Sequence, residues 1–143
     1  MTRFATVDEL LADARSRLVR VSPLAAAALI DHSALLVDIR PSWQRAADGE
    51  VPGSLIVERN HLEWRLHPDS PWRVPQARPT QQWVVLCSEG YTSSLAADAL
   101  NSLCIAATDV VGGFAAWRDA GLPTVPGATP ADQVVTSPRR VTR

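Results

Sequence analysis

The sequence contains no lysine, so all fourteen of its basic residues are arginine. Fifteen acidic residues bring the net charge to −1, and this balance argues against nucleic acid as a partner. Cysteine is scarce as well: Cys87 and Cys104 are too few for a disulfide framework, and their spacing forms no zinc-binding pattern. We therefore expect free thiols in a reducing compartment, with no metal and no organic cofactor.

Long apolar runs are also missing. The longest obvious one, Leu24–Ile30, is much shorter than the roughly 18 residues that cross a membrane. The first ten residues lack the uninterrupted apolar stretch of a secretion signal. The composition, with 46% hydrophobic and 20% charged residues in a chain of 143, is typical of one globular domain. We expect a soluble cytoplasmic protein without a membrane partner.

Short apolar runs alternate with stretches of helical pattern along the chain. The apolar runs predict buried parallel strands at Leu35–Asp38, Leu55–Val57, Trp83–Leu86 and Thr108–Val111, with a short edge strand at Val19–Val21. The stretches between them predict helices at Ser42–Ala47, Asn60–Leu66, Thr92–Leu103 and Phe114–Ala120. This alternation favours an α/β fold in which helices cover both faces of a parallel sheet.

The two ends of the chain carry different signals. Thr6 and Glu9 form the pattern of a capping box at the start of an amphipathic helix, and Ser22 followed by Pro23 begins a second helix. After Pro123 the chain turns to proline, threonine, glycine and arginine without periodicity. We therefore predict an N-terminal helical extension over residues 1–19, one domain over 20–123 and a mostly disordered tail over 124–143.

The segment around Cys87 carries the clearest chemical signal. An apolar strand leads directly into Cys87, and a short loop containing Gly90 then leads into a helix. In open α/β sheets ligands bind at the carboxyl ends of strands, and a helix N-terminus favours a thiolate nearby. Cys87 is therefore a candidate nucleophile, with a buried packing cysteine as the alternative. Cys104 lies near the opposite end of its helix, where the dipole disfavours a thiolate, and is interpreted as structural.

Four motifs in register resemble the rhodanese-like (sulfurtransferase) domain family. They are Asp38-Ile-Arg40, Gly49-Glu-Val-Pro-Gly-Ser54, Cys87-Ser-Glu-Gly-Tyr-Thr92 and the stretch from Gly112 to Pro123, Gly-Gly-Phe-Ala-Ala-Trp-Arg-Asp-Ala-Gly-Leu-Pro. The resemblance covers about residues 20 to 123. It implies a single α/β domain with a five-stranded parallel sheet and helices on both faces. It also implies a cysteine that carries a persulfide.

The resemblance assigns roles to individual residues. Cys87 matches the catalytic nucleophile, and the loop after it matches the segment that binds the substrate or persulfide sulfur: Ser88, Glu89, Gly90, Tyr91, Thr92 and Ser93. Asp38 and Arg40 match a structural ion pair beneath the site. Arg45 lies where some relatives place a basic residue against an anionic donor, with a solvated helix surface as the alternative.

Other residues are harder to place. Trp117 is expected in the core, whereas Arg59 and Arg65 are expected on the exposed surface, with the mouth of the pocket as the alternative. The loop departs from relatives that use thiosulfate, because Ser88 and Glu89 stand where those relatives tend to have basic side chains. A carboxylate beside a thiolate repels a dianionic donor, so the sequence argues against efficient use of thiosulfate.

Three functional hypotheses are compared with the sequence. The first is a sulfurtransferase that moves sulfane sulfur from thiosulfate, mercaptopyruvate or a protein persulfide to a thiophilic acceptor through Cys87. Its partner is then a small sulfur-containing substrate or a protein donor, and the oligomeric state stays open. The second, a phosphatase or arsenate reductase on the same scaffold, requires an arginine where Ser93 stands, so the sequence argues against it. A non-catalytic or regulatory module that binds or senses sulfur is the remaining alternative.

Overall fold

The computed structural model describes residues 3–137. The helices are α1 (Val7–Arg15), α2 (Pro23–Asp31), α3 (Ser42–Asp48), α4 (Leu62–Leu66), α5 (Thr92–Ser102) and α6 (Gly113–Asp119), with a 3₁₀ turn at Arg59–His61. The strands are β1 (Leu35–Asp38), β2 (Leu55–Ile56), β3 (Trp83–Leu86) and β4 (Ala107–Asp109). Except at the predicted edge strand, each predicted strand and helix overlaps an observed one. Within residues 3–137, no helix combines the length and apolar character required to cross a membrane.

The strands form one parallel sheet in the order β2-β1-β3-β4. Side chains alternate between its two faces, because successive residues of a strand point in opposite directions. Val37 and Val85 pack on the face covered by α4 and α5, whereas Leu36 and Val84 pack on the face covered by α2 and α6. Both central strands are therefore buried on both sides, which explains their uninterrupted apolar sequences.

The prediction of a five-stranded sheet is wrong by one strand. In place of the edge strand predicted at Val19–Val21, Val21 forms an isolated parallel bridge with Val110. The extended chain ends there because the Ser22 side chain accepts a hydrogen bond from the Ala25 N–H at 3.1 Å and caps α2. Pro23 then occupies the first helical position and has no N–H to offer a neighbouring strand.

Helix α1 packs against α5, although the two helices are far apart in the sequence. Its Thr6 cap accepts a hydrogen bond from the Glu9 N–H at 3.1 Å, while the Glu9 carboxylate accepts from the N–H of Ala5 rather than of Thr6. The Arg17 guanidinium donates to Asp98 on α5 at 2.9 and 2.8 Å. These hydrogen bonds hold the pKa of Asp98 below its ordinary value.

The segment predicted as a disordered tail is ordered over residues 124–137. Glu50 and Val125 form an antiparallel bridge, with hydrogen bonds of 2.7 and 2.8 Å in both directions. Val135 is buried, with 3% of its surface exposed. Backbone pairing needs no apolar periodicity, so composition did not reveal this packing. The rest of the predicted tail, residues 138–143, lies outside the described residues.

Candidate active site

Cys87 lies at the carboxyl end of β3, beside the carboxyl end of β1. The chain leaves β1 toward β2 on one side and leaves β3 toward β4 on the other, and such a switch opens a crevice between the two strands. Cys87 is buried, with 3% exposed, and lines a cavity of about 470 Å³. The other residues lining this cavity are Ile39, Arg40, Pro41, Gln44, Arg59, Ser88, Glu89, Tyr91 and Thr92.

The start of α6 fixes the first peptides of the loop. The N–H of Phe114 donates to the Cys87 carbonyl at 2.8 Å, and the N–H of Ala115 donates to the Ser88 carbonyl at 3.1 Å. In a trans peptide the N–H points away from the carbonyl, so the N–H groups of Ser88 and Glu89 face away from α6. Within the described residues, neither of these N–H groups donates to a protein atom, which leaves both available to an anion.

Gly113 allows this close approach between α6 and the loop. Its φ is +62°, and a Cβ atom there would lie 2.5 Å from the Cys87 carbonyl oxygen and 2.7 Å from the Ser88 carbonyl carbon. Any larger residue must therefore displace either the loop or the helix. Gly113, in the fourth motif of the sequence, thus lets α6 contact the backbone of the loop directly.

Gly90 brings a further N–H to the sulfur. Its φ is +87°, and its N–H donates to Cys87 Sγ at 3.2 Å. The loop then enters α5 at Thr92, so the positive end of the helix dipole lies beside the same sulfur. The Gly90 N–H and the N-terminus of α5 therefore both present positive potential to Sγ.

Ser93 holds the helix rather than lining the cavity, in contrast to its predicted place in the binding loop. Its side chain is fully buried, and its hydroxyl donates to Asp109 at 2.8 Å. Ser94 makes the same contact at 2.8 Å. Both serines therefore tie the first turn of α5 to the end of β4, because Asp109 is buried and requires donors.

The ion pair expected between Asp38 and Arg40 is present and buried. Arg40 Nη2 lies 2.7 Å from Asp38 Oδ2 and also donates to the Gly49 carbonyl at 2.8 Å. The guanidinium carbon lies 4.2 Å from the centroid of the Phe114 ring. Arg40 thereby joins β1, the loop between α3 and β2, and α6 at the wall of the cavity. Its Nη1 has no hydrogen-bond partner within residues 3–137.

Arg45 is not an anion contact in this structure, and that prediction is wrong. Its side chain is 1% exposed, with Nη1 2.7 Å from Glu50 Oε2 and 2.6 Å from the Thr129 carbonyl oxygen. Its Nε donates to the Arg40 carbonyl at 3.2 Å. These donors are used inside the fold, because the segment around Thr129 covers the face of α3 that sequence analysis left open.

Arg59 lines the cavity together with Cys87, which is the alternative that the sequence had left open beside an exposed surface. It is half-buried, and its Nη1 pairs with Glu63 at 2.7 Å. Arg59 follows β2, and the carboxyl ends of β2 and β3 lie at the same edge of the parallel sheet. The position of Arg59 just after a strand was therefore the sequence signal that its side chain could line the cavity. Arg65 instead pairs with Asp132 at 2.9 Å and lines a separate groove.

Two further candidate residues, Cys104 and Trp117, lie away from the sulfur. Cys104 is exposed beyond the end of α5 and does not line the cavity. Trp117 is buried, and its indole N–H donates to the Pro123 carbonyl at 3.0 Å. Among residues 3–137, no group of three or more His, Cys, Asp or Glu side chains is arranged to hold a metal ion.

Comparison with solved structures finds the same fold in other proteins. A protein of unknown function from Rhodopseudomonas palustris, described as a possible tyrosine phosphatase, is 31% identical with a TM-score of 0.78, over 87% of this chain and 98% of that one. A polysulfide-sulfur transferase from Wolinella succinogenes is 24% identical with a TM-score of 0.69, over 85% and 88% of the chains.

A thiosulfate sulfurtransferase from Pseudomonas aeruginosa is 20% identical with a TM-score of 0.69, over 90% of this chain but only 24% of its own. Comparison with curated protein sequences gives no significant match. The family model for the rhodanese-like domain matches residues 22–120, more than half of the sequence and all of the sheet. This chain therefore belongs to the rhodanese-like domain family.

Proposed function

We propose that this chain is a sulfurtransferase that carries sulfane sulfur as a persulfide on Cys87. The observation that supports it best is the contact between Cys87 Sγ and the Gly90 N–H, at a cavity where the N–H groups of Ser88 and Glu89 have no protein acceptor within the described residues. An anionic outer sulfur needs donors of this kind, because it is buried with its charge.

The first half-reaction loads the sulfur. The Cys87 thiolate attacks the sulfane sulfur of the donor and forms a new S–S bond. The bond between that sulfur and the rest of the donor breaks, and its electron pair leaves with the donor fragment, as sulfite when the donor is thiosulfate. The negative charge moves to the outer sulfur of the persulfide, where the loop N–H groups stabilise it.

The second half-reaction releases the sulfur. A thiophilic nucleophile such as cyanide or a thiolate attacks the outer sulfur, and the electron pair of the S–S bond returns to Cys87 as a thiolate. The sulfur leaves with the acceptor, so the enzyme regains its starting state without an external reductant. Covalent catalysis of this kind splits the transfer into two displacements at one sulfur.

The charges around the cavity bear on the donor. Glu89 contributes a carboxylate that repels dianions, while Arg59 contributes a guanidinium, in the role that sequence analysis had considered for Arg45. Because Arg59 also pairs with Glu63, its attraction for an anion is partly offset. This balance favours a donor with a single negative charge, or a protein persulfide, over thiosulfate.

A phosphatase is the second candidate, because the relative from Rhodopseudomonas palustris is described as a possible tyrosine phosphatase. Bidentate binding of a phosphate dianion calls for an arginine at the end of the loop. Ser93 stands there, and its hydroxyl is occupied by Asp109. We therefore favour sulfur transfer, and hydrolysis of a phosphotyrosine analogue in the same preparation separates the two activities.

Intact-mass measurement tests the proposal. The protein is incubated with thiosulfate, with 3-mercaptopyruvate and with a protein persulfide donor, alongside the variants Cys87→Ser and Cys104→Ser. We expect the wild type and Cys104→Ser to gain one sulfur atom that disappears on addition of cyanide, and Cys87→Ser to gain none. Because Cys104 is exposed and outside the cavity, it is a stringent control for non-specific sulfur addition.

Two outcomes would contradict the proposal. A gain that persists in Cys87→Ser would assign the sulfur to another residue. No gain with any donor, in folded protein whose Cys87 thiol still reacts, would favour the regulatory or binding module that sequence analysis kept as an alternative.

A further inference from the structure

Two arginines from the N-terminal part of the chain donate to a single carbonyl of the loop. Arg15 Nη2 lies 2.7 Å from the Gly90 carbonyl oxygen, and Arg20 Nη2 lies 2.9 Å from it. Both arginines precede residue 22, where the match to the family model begins. A carbonyl oxygen has two lone pairs, so two charged donors saturate it and fix its direction.

Each arginine is itself held in place. Arg20 donates to both carboxylate oxygens of Asp109 at 2.9 and 3.1 Å, and Asp109 is fully buried. Arg15 Nε donates to the Ser94 hydroxyl at 3.1 Å, and Ser94 in turn donates to Asp109. The guanidinium of Arg15 also lies 5.9 Å from the Tyr91 ring centroid. The network therefore joins α1, β4 and the start of α5 around the loop.

Gly90 leaves room for Arg20 and for the Gly112 backbone beside the loop. A Cβ atom at Gly90 would lie 3.2 Å from Arg20 Nη2 and 2.8 Å from the Gly112 nitrogen. The first distance is tight and the second is a clash with backbone, so a side chain at this position would press on both the Arg20 guanidinium and the Gly112 peptide.

The consequence falls on the N–H of Tyr91, which belongs to the same peptide as the Gly90 carbonyl. In a trans peptide this N–H points away from the two arginines. Charged donors on the carbonyl also polarise the peptide and strengthen its N–H as a donor. Within the described residues the Tyr91 N–H donates to no protein atom.

We propose that Arg15 and Arg20 are positioning residues, which orient and polarise the Gly90–Tyr91 peptide so that its N–H binds an anionic group next to Cys87. This inference rests on the proposed function for its substrate, an anionic sulfur. The N-terminal segment is then part of the active site, although neither arginine touches the reacting atoms.

Alkylation of Cys87 tests the inference without any sulfur donor. In a Cys104→Ser background, Cys87 is the only thiol, and its rate constants are measured with neutral iodoacetamide and with anionic iodoacetate. The carboxylate of iodoacetate stands in for an anionic substrate. We expect the iodoacetate-to-iodoacetamide rate ratio to fall about tenfold in Arg15→Met, because the loop loses an oriented, polarised donor for the anion.

Arg17→Met is the matched control, because it removes the same charge from the same segment. Arg17 pairs with Asp13 and Asp98 on the surface and not with the loop. We expect its rate ratio to stay at the wild-type value. Arg15→Lys keeps the charge but cannot donate to the Gly90 carbonyl and Ser94 together as a rigid fork, so we expect an intermediate ratio, at least threefold below wild type.

The inference is overturned if the ratio is unchanged in both Arg15→Met and Arg15→Lys, or if it falls equally in Arg17→Met. If Arg15→Met unfolds at the assay temperature, Arg15→Lys alone decides the matter. Failure of the proposed function is seen separately, as wild-type protein that is alkylated at Cys87 but accepts no sulfur.

Discussion

Glu89 and Arg59 place opposite charges in the lining of the cavity that Cys87 shares. Glu89 is exposed, so solvent and salt screen its field, but it lies two residues from the thiol in a loop that is fixed by backbone hydrogen bonds. Under the proposed function, we therefore expect the side-chain charge at this position to tune the choice of donor, whereas the backbone N–H groups act on any anionic sulfur. The two effects are separable by substitution.

We expect Glu89→Arg to raise the rate at which thiosulfate loads Cys87. The change replaces repulsion of a dianion by attraction, and an increase of about three- to tenfold at low salt is expected. The increase is measured as the second-order rate constant for sulfur gain, and it shrinks as ionic strength rises.

Asp119→Arg is the control for Glu89→Arg, because it changes the net charge equally at an exposed position of α6 outside the cavity. Its rate constant should match the wild type. An unchanged rate in Glu89→Arg, or an equal increase in Asp119→Arg, would show that the local charge of the loop does not govern donor choice.

At the scale of elements, the loop from Cys87 to Tyr91 is held between α6 on one side and the N-terminal segment on the other. The N-terminus of α6 binds the carbonyls of Cys87 and Ser88, and Arg15 and Arg20 bind the carbonyl of Gly90. With these carbonyls turned outward, the N–H groups are left for the site. The loop geometry is thus set by elements that meet only in the folded chain.

Gly113→Ala is expected to damage both the fold and the site. The left-handed backbone alone costs about 1–2 kcal/mol for alanine, and the Cβ would also collide with the Cys87 carbonyl at 2.5 Å. We expect sulfur loading at Cys87 to fall at least tenfold, together with a lower free energy of unfolding in urea. Both are measured on the same preparation.

Gly121→Ala is the matched variant for Gly113→Ala. Gly121 has φ of +74°, but a Cβ there would have no neighbour within 4 Å. Gly121→Ala should lower the free energy of unfolding only by the cost of the left-handed backbone, about 1–2 kcal/mol. Its rate of sulfur loading should stay at the wild-type value. Equal losses of loading in the two variants would mean that contact between α6 and the loop is unimportant for the site.

Features that depend on neighbouring residues could be predicted from the sequence, whereas features that depend on distant contacts could not. The run from Trp83 through Cys87 to Thr92 contains a strand, a turn and a helix start, so its arrangement was predictable. Arg45 was misplaced because α3 has only seven residues, too few for periodicity to show which face is buried. Arg15 and Arg20 carried no local signal, since their partners lie 70 or more residues away.

At the scale of the whole molecule, the ordered structure extends beyond the part that the family model matches. Residues 124–137 run back along the domain, and the buried carboxylate of Glu50 accepts hydrogen bonds from Arg45 and from Thr129, through both its N–H and its hydroxyl. A buried ion pair needs such additional donors to be tolerated. The segment therefore completes the fold around α3 instead of hanging from it.

Val135 and Val134 offer a direct test of this packing, because they are neighbours with opposite environments. Val135 is 3% exposed and Val134 is 41% exposed. Val134 forms an antiparallel bridge with Leu55, which is a contact between backbones. Val135→Ser should lower the free energy of unfolding by about 1–3 kcal/mol, since it removes a buried apolar side chain. Val134→Ser should change it by less than about 0.5 kcal/mol. Both changes are measured from the midpoints of urea unfolding curves, provided that the slope of the unfolding free energy against urea concentration stays constant. If neither variant changes the free energy of unfolding, the disordered tail predicted from composition is the better description.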